Sequence, residues 1–305
     1  DISATSRAVS VSIALAGVAG AGAEGRTTIN GDVKAYANDA TLNANLGDVL
    51  IDADSIHTAR AVTDATAIGV IAVSLLKATA EVNGVTRAFA DGAMTINSDL
   101  LSITANSDSD ALPDGLAVSI GVVGGAGAFV LGSVDRLTEA YLGARADTAP
   151  GAATTVTVTG GEVLVEAGSL ATVTATPVSL AIGVAGVAGA VTQATTAGAT
   201  LAYVGEKTTV TAGELDVKAH ATELVTALTV VAGVGALVGV AGASSIATSD
   251  TDIEAFTGAR AGNAPTVGAA TVVTITQGGS GDGTVVIAAR ATRTANATAR
   301  GVAAG

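Results

Sequence analysis

Apolar and polar residues alternate with a period of two along most of the chain. Leu215-Asp216-Val217-Lys218-Ala219 shows the pattern: Leu215, Val217 and Ala219 point one way, Asp216 and Lys218 the other. Alternation with Thr and Val enrichment predicts half-buried β-strands. Segments of this kind cover residues 41–52, 95–105, 155–167, 208–219 and 271–289. Between them lie runs of Gly, Ala and Val at 9–25, 67–84, 117–132, 178–190 and 228–243. These read as single long strands.

The scarce aromatic residues expose a repeat. Lys34-Ala35-Tyr36-Ala37-Asn38 returns as Arg87-Ala88-Phe89-Ala90-Asp91 and Glu139-Ala140-Tyr141-Leu142-Gly143. It returns again as Leu201-Ala202-Tyr203-Val204-Gly205 and Glu254-Ala255-Phe256-Thr257-Gly258. The rings are 53, 52, 62 and 53 residues apart, and the longer interval holds an insertion around Asp147–Gly151. Five units of roughly fifty residues follow, at 8–65, 66–114, 115–177, 178–227 and 228–305. A unit this small cannot bury its apolar face alone, whereas stacked units bury it continuously. The expected fold is therefore an all-β solenoid forming one continuous domain, with Tyr36, Phe89, Tyr141, Tyr203 and Phe256 as its structural repeat motif. Each unit is one wide, flattened coil or two ordinary coils. The length of the Gly-Ala-Val runs favours the wide one. Asp1 opens in mid-alternation and residues 301–305 end without a cap, so a segment of a longer polypeptide is expected.

Composition changes this picture in one respect. The apolar fraction is 49% but aromatics are only 2%, so Ala, Val and Gly must close the interior. Large side chains usually supply core burial, and here the core has to be thin. The net charge of −13 excludes the basic stripe that nucleic acid requires and disfavours anionic lipid headgroups. With no cysteine, disulfides and thiolate metal sites are excluded. The uncharged stretch at 228–247, with Gly235 and Gly239 in a G-x-x-x-G, has the length of a membrane helix. Lys77 interrupts the equivalent run, and Gly and Val are poor helix formers, so the strand reading prevails and no membrane span is expected.

The run Ile182-Gly183-Val184-Ala185-Gly186-Val187-Ala188-Gly189-Ala190, then Ala202-Tyr203-Val204-Gly205, then Thr209-Val210-Thr211-Ala212-Gly213-Glu214-Leu215-Asp216-Val217, resembles the repeat region of giant bacterial filamentous adhesins. These are the leukotoxin-like filamentous adhesins and related autotransporter or two-partner-secreted proteins. The resemblance spans essentially the whole chain. It implies an extracellular or outer-surface location and a structural or adhesive role. Self-association with neighbouring repeats or identical chains, and host, cell or surface ligands, are the implied partners. It hands over no catalytic residue, and no enzyme activity or cofactor is expected.

Candidate chemistry is sparse. Carboxylates recur at i,i+2 as Asp52/Asp54, Asp108/Asp110 and Asp250/Asp252, which places both members on one strand face. Asp108, Asp110 and Asp114 are the candidate calcium ligands. Clustered Asp residues also suit a β-helical enzyme acting on polysaccharide, provided that they gather along one groove. Gly278-Gly279-Ser280-Gly281-Asp282-Gly283 is similar to one copy of the calcium-binding nonapeptide of exported repeat proteins. Gly20-Ala21-Gly22-Ala23-Glu24-Gly25 fits G-x-G-x-x-G but lacks the βαβ setting of a dinucleotide site. His57 and His220 have no second His or Cys nearby and are expected to be exposed strand-end residues.

Overall fold

A computed structural model describes residues 1–146, 148–149, 151–262, 269–276 and 283–305, apart from the side chains of Asn45 and Leu46. Among the described residues there are thirteen strands and no helix, and every strand pairing is parallel.

Register sets the architecture. Val18 pairs with Ile71, Ile71 with Val123, and Val123 with Ala185. Each residue thus meets its equivalent one unit along the chain: Asn83 donates to Asn30, 53 residues back, and Arg87 meets Glu139, 52 residues on. Parallel neighbours cannot be joined by a tight hairpin, so the chain completes a circuit before returning beside itself. The result is a long parallel sheet system consistent with a β-helix.

Each circuit contributes to two facing stacks. The first holds β1 (Ile2–Ile13), β4 (Thr41–Ile68), β6 (Thr95–Ile120), the leading parts of β9 (Glu162–Val204) and β11 (Glu214–Thr257), and β13 (Val285–Ala304). Short β8 (Thr154–Val158), β10 (Thr208–Ala212) and β12 (Val272–Ile275) continue its leading edge. The second holds β2 (Val18–Asn30), β3 (Val33–Asn38), β5 (Ile71–Asp91), β7 (Val123–Leu142) and the trailing parts of β9 and β11.

The structure corrects one reading of the sequence. The first three Gly-Ala-Val runs are not single strands but are broken at the corner between the two stacks. The runs at 178–190 and 228–243 stay within the continuous strands β9 and β11, and in all five the alternating segments run unbroken into them. In β4, for example, strand continues from Thr41 to Ile68 and bends at Gly69-Val70. Crowding at the corner explains the glycines. A Cβ on Gly121 would collide with the Gly69 carbonyl oxygen, and one on Gly183 with that of Gly121. The opposite corner follows the aromatic motif, where Gly92, Gly143 and Gly258 take φ of +83°, +85° and +84°, open to glycine at little cost.

The interior divides into three zones. Near the first corner it is alanine on alanine, with Ala59, Ala61, Ala65 and Ala67 in one stack and Ala72, Ala78 and Ala80 in the other. Toward the aromatic corner larger side chains widen it, among them Ile51, Ile96, Leu101, Ile103 and Leu142. Between these zones lies a buried polar seam. Ser55, Ser107 and Ser169 of the first stack bond Thr86, Thr138 and Thr200 of the second at 2.6, 2.7 and 2.8 Å. Each such bond contributes about 1 kcal/mol and ties the stacks at a fixed register.

Candidate functional site

The five repeat aromatics point outward, on the far side of the strand from Ala88, Ala140 and Ala202. Parallel in-register pairing puts them in one column. Tyr36, Phe89, Tyr141, Tyr203 and Phe256 stack with centroids 5.1, 4.9, 5.2 and 4.7 Å apart and planes within 7°. The separation is essentially one strand spacing, so the ladder follows from the backbone repeat itself. At about 0.5–1.5 kcal/mol per contact, its four contacts bind successive circuits together.

An outward ring should be wet, yet Tyr203 is fully buried and Tyr141 nearly so, while Tyr36 is 63% exposed. The cover is the chain leaving β7. Ala146 N donates to Tyr203 Oη at 3.0 Å, and Tyr203 Oη donates to Glu139 Oε1 at 2.6 Å. Arg87 Nε and Arg145 Nε reach Glu139 Oε2 at 2.6 and 3.3 Å. Glu139 is thus a buried carboxylate held by two guanidinium groups and a phenol. Burial, reinforced by Glu139, pushes the Tyr203 phenol far above its ordinary range and keeps it a donor.

The same clamp recurs after β11. Arg260 Nε lies 2.8 Å from Glu254 Oε2, and Glu254 precedes Phe256 as Glu139 precedes Tyr141. The shared run is Glu-Ala-aromatic-x-Gly-Ala-Arg, at 139–145 and again at 254–260. The six-residue spacing of Glu and Arg was the signal available in the sequence, and the aromatic spacing alone passes over it.

Two buried charges also escape a pattern-based reading. Arg136 lies in the polar seam, where its guanidinium donates to Thr86 Oγ1 at 2.9 Å and to the Asn83 carbonyl at 3.1 Å. Glu223 accepts from Thr196 at 3.0 Å and from Ser249, with Arg293 Nε 3.8 Å away. Both line a cavity of about 20 Å³ whose walls include Ser107, Ser109 and Thr138.

The predicted calcium ligands lie along β6. Asp108 and Asp110 are half-buried neighbours on its outer face, and burial, then the charge of Asp110, raises the Asp108 carboxyl above its usual range. Asp114 Oδ1 instead accepts from Gly115 N at 2.8 Å and Thr176 Oγ1 at 3.2 Å. Four residues of strand separate Asp110 from Asp114 by about 13 Å, too far to share an ion whose oxygens sit about 2.4 Å away. No group of three or more acidic or His side chains suited to a metal occurs among the described residues. Residues 278–282 of the Gly-rich motif lie outside the described residues. Gly20–Gly25 falls within β2, without a following helix.

Two of the three Asp pairs share a face and the third does not. Asp52/Asp54 and Asp108/Asp110 occupy adjacent strands of the first stack, whereas Asp250/Asp252 sit in the second. Asn106 Nδ2 donates to Asp54 Oδ1 at 3.1 Å, and the imidazole of His220, 3.3 Å from Glu166, leans over Gly168 beside them. His57 corrects another expectation. It is neither exposed nor at a strand end but mid-strand in β4, at 1% exposure, with no hydrogen-bond partner on either ring nitrogen. Burial, and then the charge of Arg136, depresses its pKa to about 4. His220 is exposed but likewise lies within a strand.

No helix of the described residues is long and apolar enough to cross a membrane. No protein-family model matches the chain, and neither a curated protein nor a solved structure matches it.

Proposed function

We propose that the chain is a β-solenoid scaffold of five roughly fifty-residue repeats, each repeat one wide flattened coil, serving as a stalk or filament segment at the outer cell surface or outside the cell. The observation that carries this reading is the aromatic column: five rings one unit apart in sequence stand one strand spacing apart in space. A coil of this kind can be extended along its axis by further repeats without new chemistry. The acidic surface keeps such a polymer dispersed. The resemblance to filamentous adhesin repeats supplies the location, and with it host, cell or surface ligands as partners.

Electron microscopy of chains differing by one repeat tests the scaffold. Rod length should grow by about 4.8 Å per repeat. Growth of about twice that would mean two coils per repeat, and a globular particle would remove the scaffold reading altogether.

A second reading, a β-helical protein acting on polysaccharide, draws on Asp54, Asn106, Asp108 and His220 around Gly168. Turnover of an acidic glycan by the purified chain, abolished by Asp108→Asn, would favour it over the scaffold.

A further inference from the structure

The outer face of the second stack, next to the Gly69 corner, has no partner among the described residues. Its outward positions on β5 are Ile71, Val73 and Leu75, all more than 40% exposed, and on β7 they include Val123 and Phe129. From Val18 and its equivalents out to the Glu24–Lys77 pair, this face carries no charge, and that pair is closed at 3.2 Å.

We propose that this face is a lateral interface on which a second copy of the chain docks, sheet against sheet. Size is the first argument. The face spans four outward columns about 7 Å apart and five strands about 4.8 Å apart, or about 600 Å². That is the upper end of what a monomer ordinarily exposes. Two copies would bury about 1,200 Å², the lower bound of specific interfaces.

Shape is the second argument. Leu75 pairs with Gly127, Gly127 with Gly189, and Gly189 with Gly242, so a trough follows the solenoid axis. Phe129 and Val191 form a ridge along one side of it. Ridge and trough lie side by side, so a two-fold axis seats the ridge of each copy in the trough of the other. Gly127 is explained from within, because a Cβ there would meet Leu75 Cδ2 at 2.6 Å, but Gly189 and Gly242 have no such explanation among the described residues. A Cβ on Gly242 would meet nothing within 4 Å, and one on Gly189 only the Gly242 carbonyl at 3.8 Å. Glycine inside a strand is costly and marks the close approach of another backbone.

Charge decides between a protein and a lipid surface. A chain of net charge −13, in which Lys77 at the border of this face is paired with Glu24 and Arg26 beyond it with Glu81, gains nothing from anionic headgroups. Two such chains repel one another except at a face whose one charged pair is closed on itself, so pairing should strengthen as salt rises.

Sedimentation of the full chain over a range of concentration and salt tests the proposal, with Gly189→Arg and Gly242→Arg as variants. A Cβ at either position meets no close contact among the described residues, so the monomeric variants should retain the circular dichroism and melting temperature of the monomeric parent. Thr172→Arg, on the opposite stack, is the control. The expected result is a dimer that salt strengthens, at least about tenfold weaker in both glycine variants and unchanged in the control. A parent that stays monomeric at all concentrations, a dimer indifferent to both arginines, or a monomer that instead floats with phosphatidylcholine vesicles would overturn it. The pairing deepens the scaffold reading. A monomer that still shows the axial rise per repeat would remove the pairing and leave the scaffold.

Discussion

Acid should loosen this protein through His57 in particular. The imidazole is buried beside Arg136 and has no acceptor or donor on either nitrogen, so protonation places a second cation in a closed seam. Its pKa falls from 6.5 in the unfolded chain to about 4 in the folded one. The unfolded chain therefore binds more protons across this window. The stabilisation is complete above pH 6.5 and lost as pH falls toward 4. A shift of about 2.5 pH units is about 3 kcal/mol, a large share of a domain's net stability. Denaturant titration of the parent and of His57→Ser, the residue found one strand up at Ser109, measures it. The many carboxylates titrate in both proteins, so the difference between the two curves isolates the imidazole. That difference should open by about 3 kcal/mol between pH 6.5 and 4. The chain has only two histidines, and NMR titration reads the ring directly. Parallel stability curves, or a His57 resonance titrating near 6.5, would refute the reasoning.

Glu139→Gln removes the charge that Arg87 and Arg145 share, and should cost about 3 kcal/mol with faster amide exchange at Ala146. Unchanged exchange there would show that the covering segment does not depend on the carboxylate. Gly121→Ala forces a methyl onto the Gly69 carbonyl and should cost more than about 2 kcal/mol, whereas Gly242→Ala, melted at concentrations where the chain is monomeric, meets open space and should be neutral or stabilising by up to about 1 kcal/mol. Thermal melts of the two side by side check the corner assignment. Thr138→Val strands the Ser107 hydroxyl in the seam and should cost about 1–3 kcal/mol by chemical denaturation, while Ser107→Ala with Thr138→Val should recover part of it.

The aromatic column was legible in the sequence because a period of one circuit in the chain becomes one strand spacing in space. The corner was not, because hydropathy does not distinguish a glycine inside a strand from one that bends it. The distinguishing sign was that Gly69, Gly121 and Gly183 recur at the same 52- and 62-residue intervals as the rings Phe89, Tyr141 and Tyr203. His57 failed for a related reason. Its inward phase follows from Ile51 only if the alternation continues past Asp52 to Ile68, and a strand ended at Asp52 loses that phase. Glu139 is a different case. Its phase correctly points outward, and only the segment after Gly143, folded back over the face, buries it.

What fixes one register among stacked, similar circuits is the placement of opposite charges. In a parallel stack every residue faces its own repeat, so an invariant charged repeat would pile like charges into a column. At several positions opposite charges meet instead, although Lys34 still faces Arg87 and Glu162 faces Glu214. Glu24 faces Lys77 and Arg87 faces Glu139, each across one circuit. Arg7 and Arg26 reach Asp64 and Glu81 diagonally, two positions further along the neighbouring strand. The exposed pairs contribute little stability. A shift of one residue, however, turns every outward charge into the alanine core, and a skipped circuit leaves the buried Glu139 without Arg87. Nearly interchangeable Ala, Val and Gly strands can build the sheet in many orders, and these pairs select one of them.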